Sequence, residues 1–281
     1  MVQTTKPFNE VFIVGCGLMG AGIAQVVARA GIKVIAYDLT EDALSRGKEQ
    51  IKKSLSKTDP NHAEEILNRI TFTTNMSDGK NCDLAIEAVP EKIELKKEVF
   101  KKLDEIMKKD AILASNTSSL SIAAISSVTK RPEKVIGLHF FSPVPIMKLL
   151  EIVKGINTSD EVVEISKQFA KEIGKEVIIA NDLPGFTVNR LLVPMMNEAA
   201  FLVLEGNDPE EIDRGMMLGA NHPIGPLKLA DSVGIDVLLF TLESLYEGFN
   251  DSKYRPCPIL KRMVEAGHLG KKTGKGFYDY H

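Results

Sequence analysis

The sequence predicts an α/β protein with a doubly wound, mostly parallel sheet, followed by a smaller all-helical domain. Before residue 182, short β-branched runs alternate with segments long enough for crossover helices. After the turn signal Asn181-Asp-Leu-Pro-Gly185, apolar residues recur at helical spacing instead. We therefore predict two domains, residues 1–182 and residues 183–281.

The individual elements follow from the same patterns. The predicted strands are residues 11–14, 33–37, 70–73, 84–87, 111–114, 135–138, 149–153 and 177–179. Beyond the boundary, helical patterns cover a segment that begins near Val188 and residues 209–218, 226–245 and 258–266. Pro194 should bend the first of these helices, because proline has no N–H to donate.

Composition narrows the class of protein. Of the 281 residues, 44% are hydrophobic and 26% are charged, which is typical of a soluble globular enzyme. The formal net charge of −3 argues against a nucleic-acid partner. No apolar run approaches the roughly 18–20 residues of a membrane span, so no membrane partner is expected. The cysteines are few and widely spaced, and residues 1–10 contain no apolar signal core, so we expect a cytoplasmic protein.

A glycine-rich loop, Gly15-Cys-Gly-Leu-Met-Gly20, follows the first predicted strand and opens an apolar helix. In this context the first glycine turns the chain and the second lets the backbone approach a pyrophosphate. The third lets the helix pack closely on the strand. The loop predicts a Rossmann-like dinucleotide-binding domain; the alternative is a glycine-rich turn in an unrelated α/β protein.

Asp38 ends the next predicted strand, roughly 20 residues on, where an acidic residue binds the ribose hydroxyls. Its charge would repel a 2′-phosphate, and Leu39-Thr40 provides no arginine to attract one. We therefore predict NAD rather than NADP, and no second flavin-contacting region favours a flavin. The cofactor-binding residues expected here are Gly15, Gly17, Leu18, Met19, Gly20 and Asp38.

His139 and Glu151 lie downstream of this loop. Taking a hydride from a carbinol carbon also requires moving the hydroxyl proton, and histidine performs that transfer near neutral pH. A lone histidine at a strand end is more often structural. Glu151, however, stands in an apolar run where an unpaired carboxylate would be costly. A mutual pair would explain both residues.

Two polar segments have alternative interpretations. Residues 114–120, Ala-Ser-Asn-Thr-Ser-Ser-Leu, follow a strand and either cap the next helix or face a ligand at the carboxyl edge of the sheet. Arg46, Lys53 and Lys57 share one helix face, with Ser54 beside them. That face is either solvated or receives the phosphates of a ligand.

From residue 11 to residue 280 the chain resembles the 3-hydroxyacyl-CoA dehydrogenase family, and within it the short bacterial members that act on 3-hydroxybutyryl-CoA. The resemblance rests on ordered motifs. They are residues 15–20, 114–120, 139–141 with 147–151, 184–190, 218–226 and 270–278.

The resemblance implies NAD-dependent interconversion of 3-hydroxybutyryl-CoA and acetoacetyl-CoA by a homodimer with (S) specificity. It implies His139 as the general acid or base, Glu151 as its orienting carboxylate, and Ser118 and Asn189 as contacts of the reacting oxygen. It implies cofactor contacts from Glu91, Lys96, Asn116 and Lys272, and coenzyme A contacts from Ser54 and Lys57. Ser142, where relatives commonly carry Asn, is also expected to contact the substrate, and its shorter side chain can keep a hydrogen bond there only by a small shift or through a water.

Two other functions remain open from the sequence. One is a dehydrogenase of a free hydroxy acid or sugar acid on the same fold, and the other is a dinucleotide-binding protein without turnover. We predict no metal site, because the remaining histidines show no paired-ligand spacing. They are His62, His222, His268 and His281.

Overall fold

The computed structural model describes residues 7–280. They form two compact units that divide between Asp182 and Leu183. The described residues exclude His281 and residues 1–6, which belong to the N-terminal segment 1–10 in which no signal core is predicted. Within residues 7–280, no helix has both the length and the apolar character needed to cross a membrane.

The first unit is built on an eight-stranded sheet. The strands are β1 Glu10–Val14, β2 Lys33–Tyr37, β3 Ile70–Thr73, β4 Leu84–Glu87, β5 Ile112–Ser115, β6 Val135–Phe140, β7 Leu149–Lys154 and β8 Glu176–Asn181. Their spatial order is β3-β2-β1-β4-β5-β6-β7-β8. All neighbours pair in parallel except β6 and β7. The predicted mostly parallel sheet is confirmed.

The order of the strands creates the crevice in which a ligand would lie. From β1 the chain proceeds outward to β2 and β3, then returns to place β4 on the other side of β1. The carboxyl ends of β1 and β4 therefore flank a topological switch point, the usual ligand position in such sheets. Val11, Phe12 and Ile13 of β1 are fully buried, as expected for a parallel strand covered on both faces.

Helices connect the strands of this sheet. They are α1 Leu18–Arg29, α2 Glu41–Thr58, α3 Ala63–Asn68, α4 Ile93–Ile106, α5 Ile122–Ser126 and α6 Asp160–Glu172. Helix α2 shows why such segments fold: the Thr40 side chain accepts a hydrogen bond from the Ala43 N–H and caps the first turn. Its buried positions Leu44, Ile51 and Leu55 lie on one face.

The second unit is helical, as predicted. Its helices are α7 Val188–Leu204, α8 Pro209–Gly219, α9 Pro226–Val233, α10 Ile235–Phe249 and α11 Pro258–Glu265. The predicted helical stretch 226–245 is interrupted at Gly234, whose φ of +106° lies outside the range of a right-handed helix. Helix α7 continues through Pro194.

Two buried carboxylates organise this unit. Asp213 accepts hydrogen bonds from the backbone N–H groups of Leu227 and Lys228 and so caps the start of α9. Asp231, within α9, accepts from the N–H groups of Phe277 and Tyr278 and holds the C-terminal segment against that helix.

The connection between β6 and β7 is held by a buried lysine. Lys175 is 7% exposed, and its Nζ donates to the carbonyl oxygens of Val144 and Met147, each at 2.5 Å. Val144 also packs on α1, where a Cβ added to Gly22 would lie 2.9 Å from the Val144 Cβ. The connection therefore rests closely on the helix that follows the glycine-rich loop.

Lys175 should make stability depend on pH in the alkaline range. Burial, with a smaller contribution from Arg29, lowers the pKa of Lys175 from 10.5 to about 8. Between these values the unfolded chain binds more protons than the folded chain, so the contribution of Lys175 to stability rises with pH. The unfolding free energy of the wild type, minus that of Lys175→Met, should therefore increase from pH 8 to pH 10.5 in denaturant titrations.

Lys171→Met removes an exposed lysine near the end of α6 and is the matched control for the change in net charge. A difference between wild type and Lys175→Met that stays constant across the window would contradict the prediction.

Candidate active site

The three glycines of the loop after β1 occupy three different environments. Gly15 has a φ of +101°, and an added Cβ would lie 2.8 Å from the Ala88 carbonyl oxygen. A Cβ on Gly20 would lie 1.7 Å from the Gly15 oxygen, whereas nothing lies within 4 Å of a Cβ on Gly17. The loop therefore turns at Gly15, packs at Gly20 and leaves open space beside the backbone of Gly17, where a pyrophosphate would approach.

The loop leads into helix α1 with Gly17 at the N-cap position. Among the described residues no side chain caps this helix. The N–H groups of its first turn, together with the positive end of the helix dipole, suit an anionic ligand. The residues of the structure therefore fit the phosphates of a dinucleotide at this point.

A cavity of about 880 Å³ lies beside the loop, within the size range of small-molecule sites. It is lined by most of the predicted cofactor residues in this part of the chain, namely Gly15, Gly17, Leu18, Met19 and Asp38. Gly20 is not part of the lining: it lies buried in the turn, and its role is the close packing described above.

Asp38 stands on the wall of this cavity. Its Oδ2 accepts from the Cys16 N–H and its Oδ1 from the Leu39 N–H, each at 2.7 Å. These bonds hold the carboxylate where it can accept from ribose hydroxyls. Burial and the nearby charge of Asp38 raise the pKa of the Cys16 thiol to about 12, so this cysteine stays protonated at neutral pH.

His139 and Glu151 face each other directly across the antiparallel pair β6 and β7. The distance from His139 Nδ1 to Glu151 Oε2 is 2.6 Å, and the residues are 5% and 0% exposed. A carboxylate only accepts hydrogen bonds, so Nδ1 carries the hydrogen and the opposite ring nitrogen, Nε2, is the one suited to proton exchange. The predicted pairing of these two side chains is present in the structure.

Asn116 and Ser118 follow β5 at the same edge of the sheet. Asn116 Oδ1 accepts from the Phe140 N–H at 2.9 Å and so joins this loop to the end of β6. Glu91 Oε1 accepts from the Ser118 N–H at 2.8 Å and lies 3.3 Å from the Ser118 hydroxyl. The structure thus brings Asn116, Ser118 and Glu91 together at the strand end beside β6.

The capping interpretation of residues 114–120 is wrong. Helix α5 begins two residues later, and its N-cap is Ser121, whose hydroxyl accepts from the Ala124 N–H. The carboxylate of Asp182 accepts from the N–H groups of Ile122 and Ala123 and completes the cap. The polar residues before Ser121 are therefore not needed to start the helix.

Two predicted cofactor contacts have other partners. Lys96 is 1% exposed, and its Nζ donates to Glu87 Oε1 at 2.6 Å. In the second unit Lys272 forms an ion pair with Asp236, with Nζ–O distances of 2.5 and 2.7 Å. Both ammonium groups are paired with protein carboxylates in this structure, and their predicted contacts with the cofactor stay predictions. Asn189 lies in the first turn of α7, half-buried.

Ser54 and Ser142, predicted to contact the substrate, line one small cavity of about 150 Å³, together with Gln25 and Gln50. Lys57 lies exposed about one turn further along α2. Arg46, grouped with Lys57 by its spacing, lines the cofactor cavity instead.

Sequence reasoning missed Glu87 and Thr117. Glu87 is 0% exposed at the end of the apolar strand β4, and Thr117 is equally buried. A carboxylate in an apolar run is the signal that pointed to Glu151, and it would have pointed to Glu87 too. Among the described residues, no group of three or more potential metal ligands is placed to hold a metal ion.

Two family models together match nearly the whole chain. The model described as 3-hydroxyacyl-CoA dehydrogenase, NAD binding domain, matches residues 10–183. The model described as 3-hydroxyacyl-CoA dehydrogenase, C-terminal domain, matches residues 185–280. The chain belongs to the 3-hydroxyacyl-CoA dehydrogenase family. The predicted family and the predicted cofactor, NAD, are thereby confirmed.

Members of this family resemble the chain along its whole length. A probable 3-hydroxybutyryl-CoA dehydrogenase of Deinococcus radiodurans is 48% identical, over 95% of this chain and 99% of the relative. The 3-hydroxybutyryl-CoA dehydrogenase of Bradyrhizobium diazoefficiens is 45% identical, over 97% of this chain and 95% of the relative. The crystal structure of (S)-3-hydroxybutyryl-CoA dehydrogenase from Ralstonia eutropha has a TM-score of 0.93 and 44% identity, over 98% of this chain and 99% of that one.

Replacing Asp38 should weaken cofactor binding and its selectivity. Asp38→Asn keeps one oxygen acceptor but loses the charge. We expect NADH affinity to fall about 10- to 100-fold, because hydrogen bonds to charged groups contribute about 1.5–3 kcal/mol. The preference over NADPH should shrink, since the charge that repels a 2′-phosphate is removed. Calorimetric titrations with both nucleotides measure both effects.

Glu41→Gln, at an exposed acid in the first turn of α2, is the matched control. Unchanged NADH affinity together with unchanged discrimination would remove Asp38 from the cofactor site.

Proposed function

We propose that this chain catalyses the NAD-dependent interconversion of (S)-3-hydroxybutyryl-CoA and acetoacetyl-CoA. The observation that carries the proposal is the buried His139–Glu151 pair, at the same carboxyl edge of the sheet as the glycine-rich loop. A proton-transfer pair at the same sheet edge as a dinucleotide-binding loop is an arrangement suited to alcohol oxidation. The names of the relatives from Bradyrhizobium and Ralstonia support the substrate.

Each of the proposed active-site residues has its own role in this reaction. NAD, when bound, supplies the acceptor for the hydride that leaves C3 of the substrate. His139 Nε2 takes the hydroxyl proton during oxidation and returns it during reduction. Glu151 stabilises the imidazolium that forms and keeps the ring oriented. Ser118 donates a hydrogen bond to the reacting oxygen, on which negative charge develops. Asn189, in the second unit, is proposed to contact the substrate.

The burial of the pair is part of this mechanism. At 5% and 0% exposure, His139 and Glu151 interact in a medium that screens charge much less than water does. The imidazolium formed on proton transfer is therefore stabilised strongly by Glu151. Exclusion of water also prevents bulk solvent from supplying or removing the proton out of step with the hydride.

The substrate assignment extends to the small cavity and to α2. We assign Ser54 and Ser142 to polar contacts with the acyl-CoA and Lys57 to its phosphates, for which a mobile ammonium serves as a point charge. The shared cavity of the two serines supports the first assignment. The exposure of Lys57 leaves its charge available to a large anionic ligand.

We further propose that the first unit binds NAD and that the second serves substrate binding and dimerisation in a cytoplasmic homodimer. Large apolar side chains that stand exposed on the second unit support dimerisation. Leu191 and Leu218, for example, are 73% and 75% exposed. Analytical ultracentrifugation tests the dimer.

The experiment that tests the activity follows NADH absorbance after purified protein is mixed with acetoacetyl-CoA. Free acetoacetate with NADH, and acetoacetyl-CoA with NADPH, are the parallel reactions. We expect rapid loss only with NADH and the thioester. Activity on the free acid would indicate a hydroxy-acid dehydrogenase instead. No activity in any of the reactions, in protein that still binds NADH, would indicate a dinucleotide-binding protein without turnover.

His139→Gln should lower kcat by about 10²- to 10⁴-fold, the usual contribution of a general acid or base. The glutamine amide can still donate to Glu151, so the buried carboxylate keeps a partner and the fold is retained. NADH binding, measured by fluorescence titration, should persist. His62→Gln changes an exposed histidine and is the control. Turnover of His139→Gln near that of the wild type would refute the assignment.

Lys57→Ala should raise the KM for acetoacetyl-CoA while kcat stays nearly unchanged, because a phosphate contact far from the reacting carbon binds ground state and transition state alike. A several-fold change is expected at low ionic strength, and salt should reduce it. Lys52→Ala removes the same charge from the same helix, where Lys52 pairs with Glu49, and serves as the control. An equal KM in both variants would exclude Lys57 from the substrate site.

A further inference from the structure

A buried ionic cluster lies beneath the loop that carries Ser118. It consists of Glu87 at the end of β4, Lys96 in α4 and Glu91 in the turn between them. Lys96 Nζ lies 2.6 Å from Glu87 Oε1 and 3.2 Å from Glu91 Oε2. The side chains of Glu87 and Lys96 are 0% and 1% exposed, whereas that of Glu91 is 25% exposed. The cluster thus runs from the interior of the sheet towards the surface of the site.

Glu91 links the cluster to Ser118 by hydrogen bonds. Its Oε1 accepts hydrogen bonds from the Thr117 hydroxyl at 2.5 Å and from the Ser118 N–H at 2.8 Å. The same oxygen lies 3.3 Å from the Ser118 hydroxyl. This carboxylate oxygen therefore fixes the backbone of the residue assigned to the substrate. The Ser118 hydroxyl has one proton, so it gives up its long contact with Glu91 when it donates to the reacting oxygen.

Glu87 reaches this loop by a second route. Its Oε2 accepts from the Ser115 hydroxyl at 2.7 Å, and the Ser115 oxygen in turn accepts from the Thr117 N–H at 3.2 Å. The loop is consequently held from two sides, through Lys96 and Glu91 and through Ser115. Both routes begin at the one carboxylate of Glu87.

Stability alone does not explain such a cluster. Removing each ion from water costs several kcal/mol, and well-packed apolar side chains often stabilise a fold as well as a buried ion pair does. What the ions provide is direction, because a hydrogen bond weakens steeply when its acceptor lies away from the line of the donor's N–H or O–H bond. The hydrogen bonds of this cluster lead to Ser118, so they influence where the hydroxyl of that residue lies.

We propose that Glu87 is a positioning residue: it orients Lys96 and Ser115, and through them Glu91 and Thr117, so that the Ser118 hydroxyl is held in its working position. The proposal rests on the proposed function, since it assigns Glu87 to the reaction through Ser118. Glu87 itself does not touch the reacting atoms.

The test is a double-mutant cycle on kcat for acetoacetyl-CoA reduction with Glu87→Gln, Ser118→Ala and the two combined. Glu87→Gln keeps the size and one oxygen acceptor but leaves Lys96 without its nearest counter-charge. We expect it to lower kcat about 10-fold with little change in the KM for the thioester. In the Ser118→Ala background the same change should have no further effect, because the hydroxyl it positions is already absent.

A role in folding alone would give a different result. The losses of the two single variants would then multiply in the combined variant, and that outcome, or a wild-type kcat for Glu87→Gln, overturns the proposal. Glu94→Gln is the matched control, an exposed acid on α4 paired with Lys97, and should leave kcat unchanged.

If Glu87→Gln does not fold, Thr117→Val replaces it in the cycle. This change preserves the side-chain shape and removes the hydroxyl that donates to Glu91 and accepts from the Leu120 N–H, so it also loosens the Ser118 loop. It should show the same loss of additivity with Ser118→Ala. The wild-type arm separates the two proposals: an inactive wild type defeats the proposed function, whereas an active wild type with additive variants defeats only the role of Glu87.

Discussion

The parallel pairing of the first six strands is the constraint on which the site depends. Parallel strands end at the same edge of a sheet, so residues that directly follow β1, β2, β4 and β5 become neighbours although they are far apart in the chain. Gly15, Asp38 and Ser118 reach this edge in that way. His139 reaches it from the end of β6, and the turn to the antiparallel β7 places Glu151 opposite it.

A second constraint acts on the polar groups that this arrangement buries. A carboxylate at the end of an interior strand is removed from water and must receive partners inside the protein. Glu151 obtains His139, and Glu87 obtains Lys96 and Ser115. The same physical demand therefore underlies both the pair proposed to exchange a proton with the substrate and the cluster proposed to position Ser118.

Much of the fold and part of the site were predictable, because they depend on local signals. The strands and the glycine-rich loop are marked by residues within a few positions of one another, and the pairing of His139 with Glu151 followed from the cost of a lone buried acid. The partner of Lys96 was not predictable. Glu87, Glu91 and Glu94 all lie near it in sequence, and only the path of the turn before α4 brings Glu87 closest.

By itself, the sequence determined the fold class, the family and the cofactor, since these depend on periodicity and on motifs whose residues are adjacent in the chain. The tertiary structure alone decided which charges meet. It placed Arg46 at the cofactor cavity, paired Lys272 with Asp236 and linked Glu87 to the Ser118 loop. The reason is that an ion pair is set by distances of a few ångströms between side chains, and those distances exist only after the elements have packed.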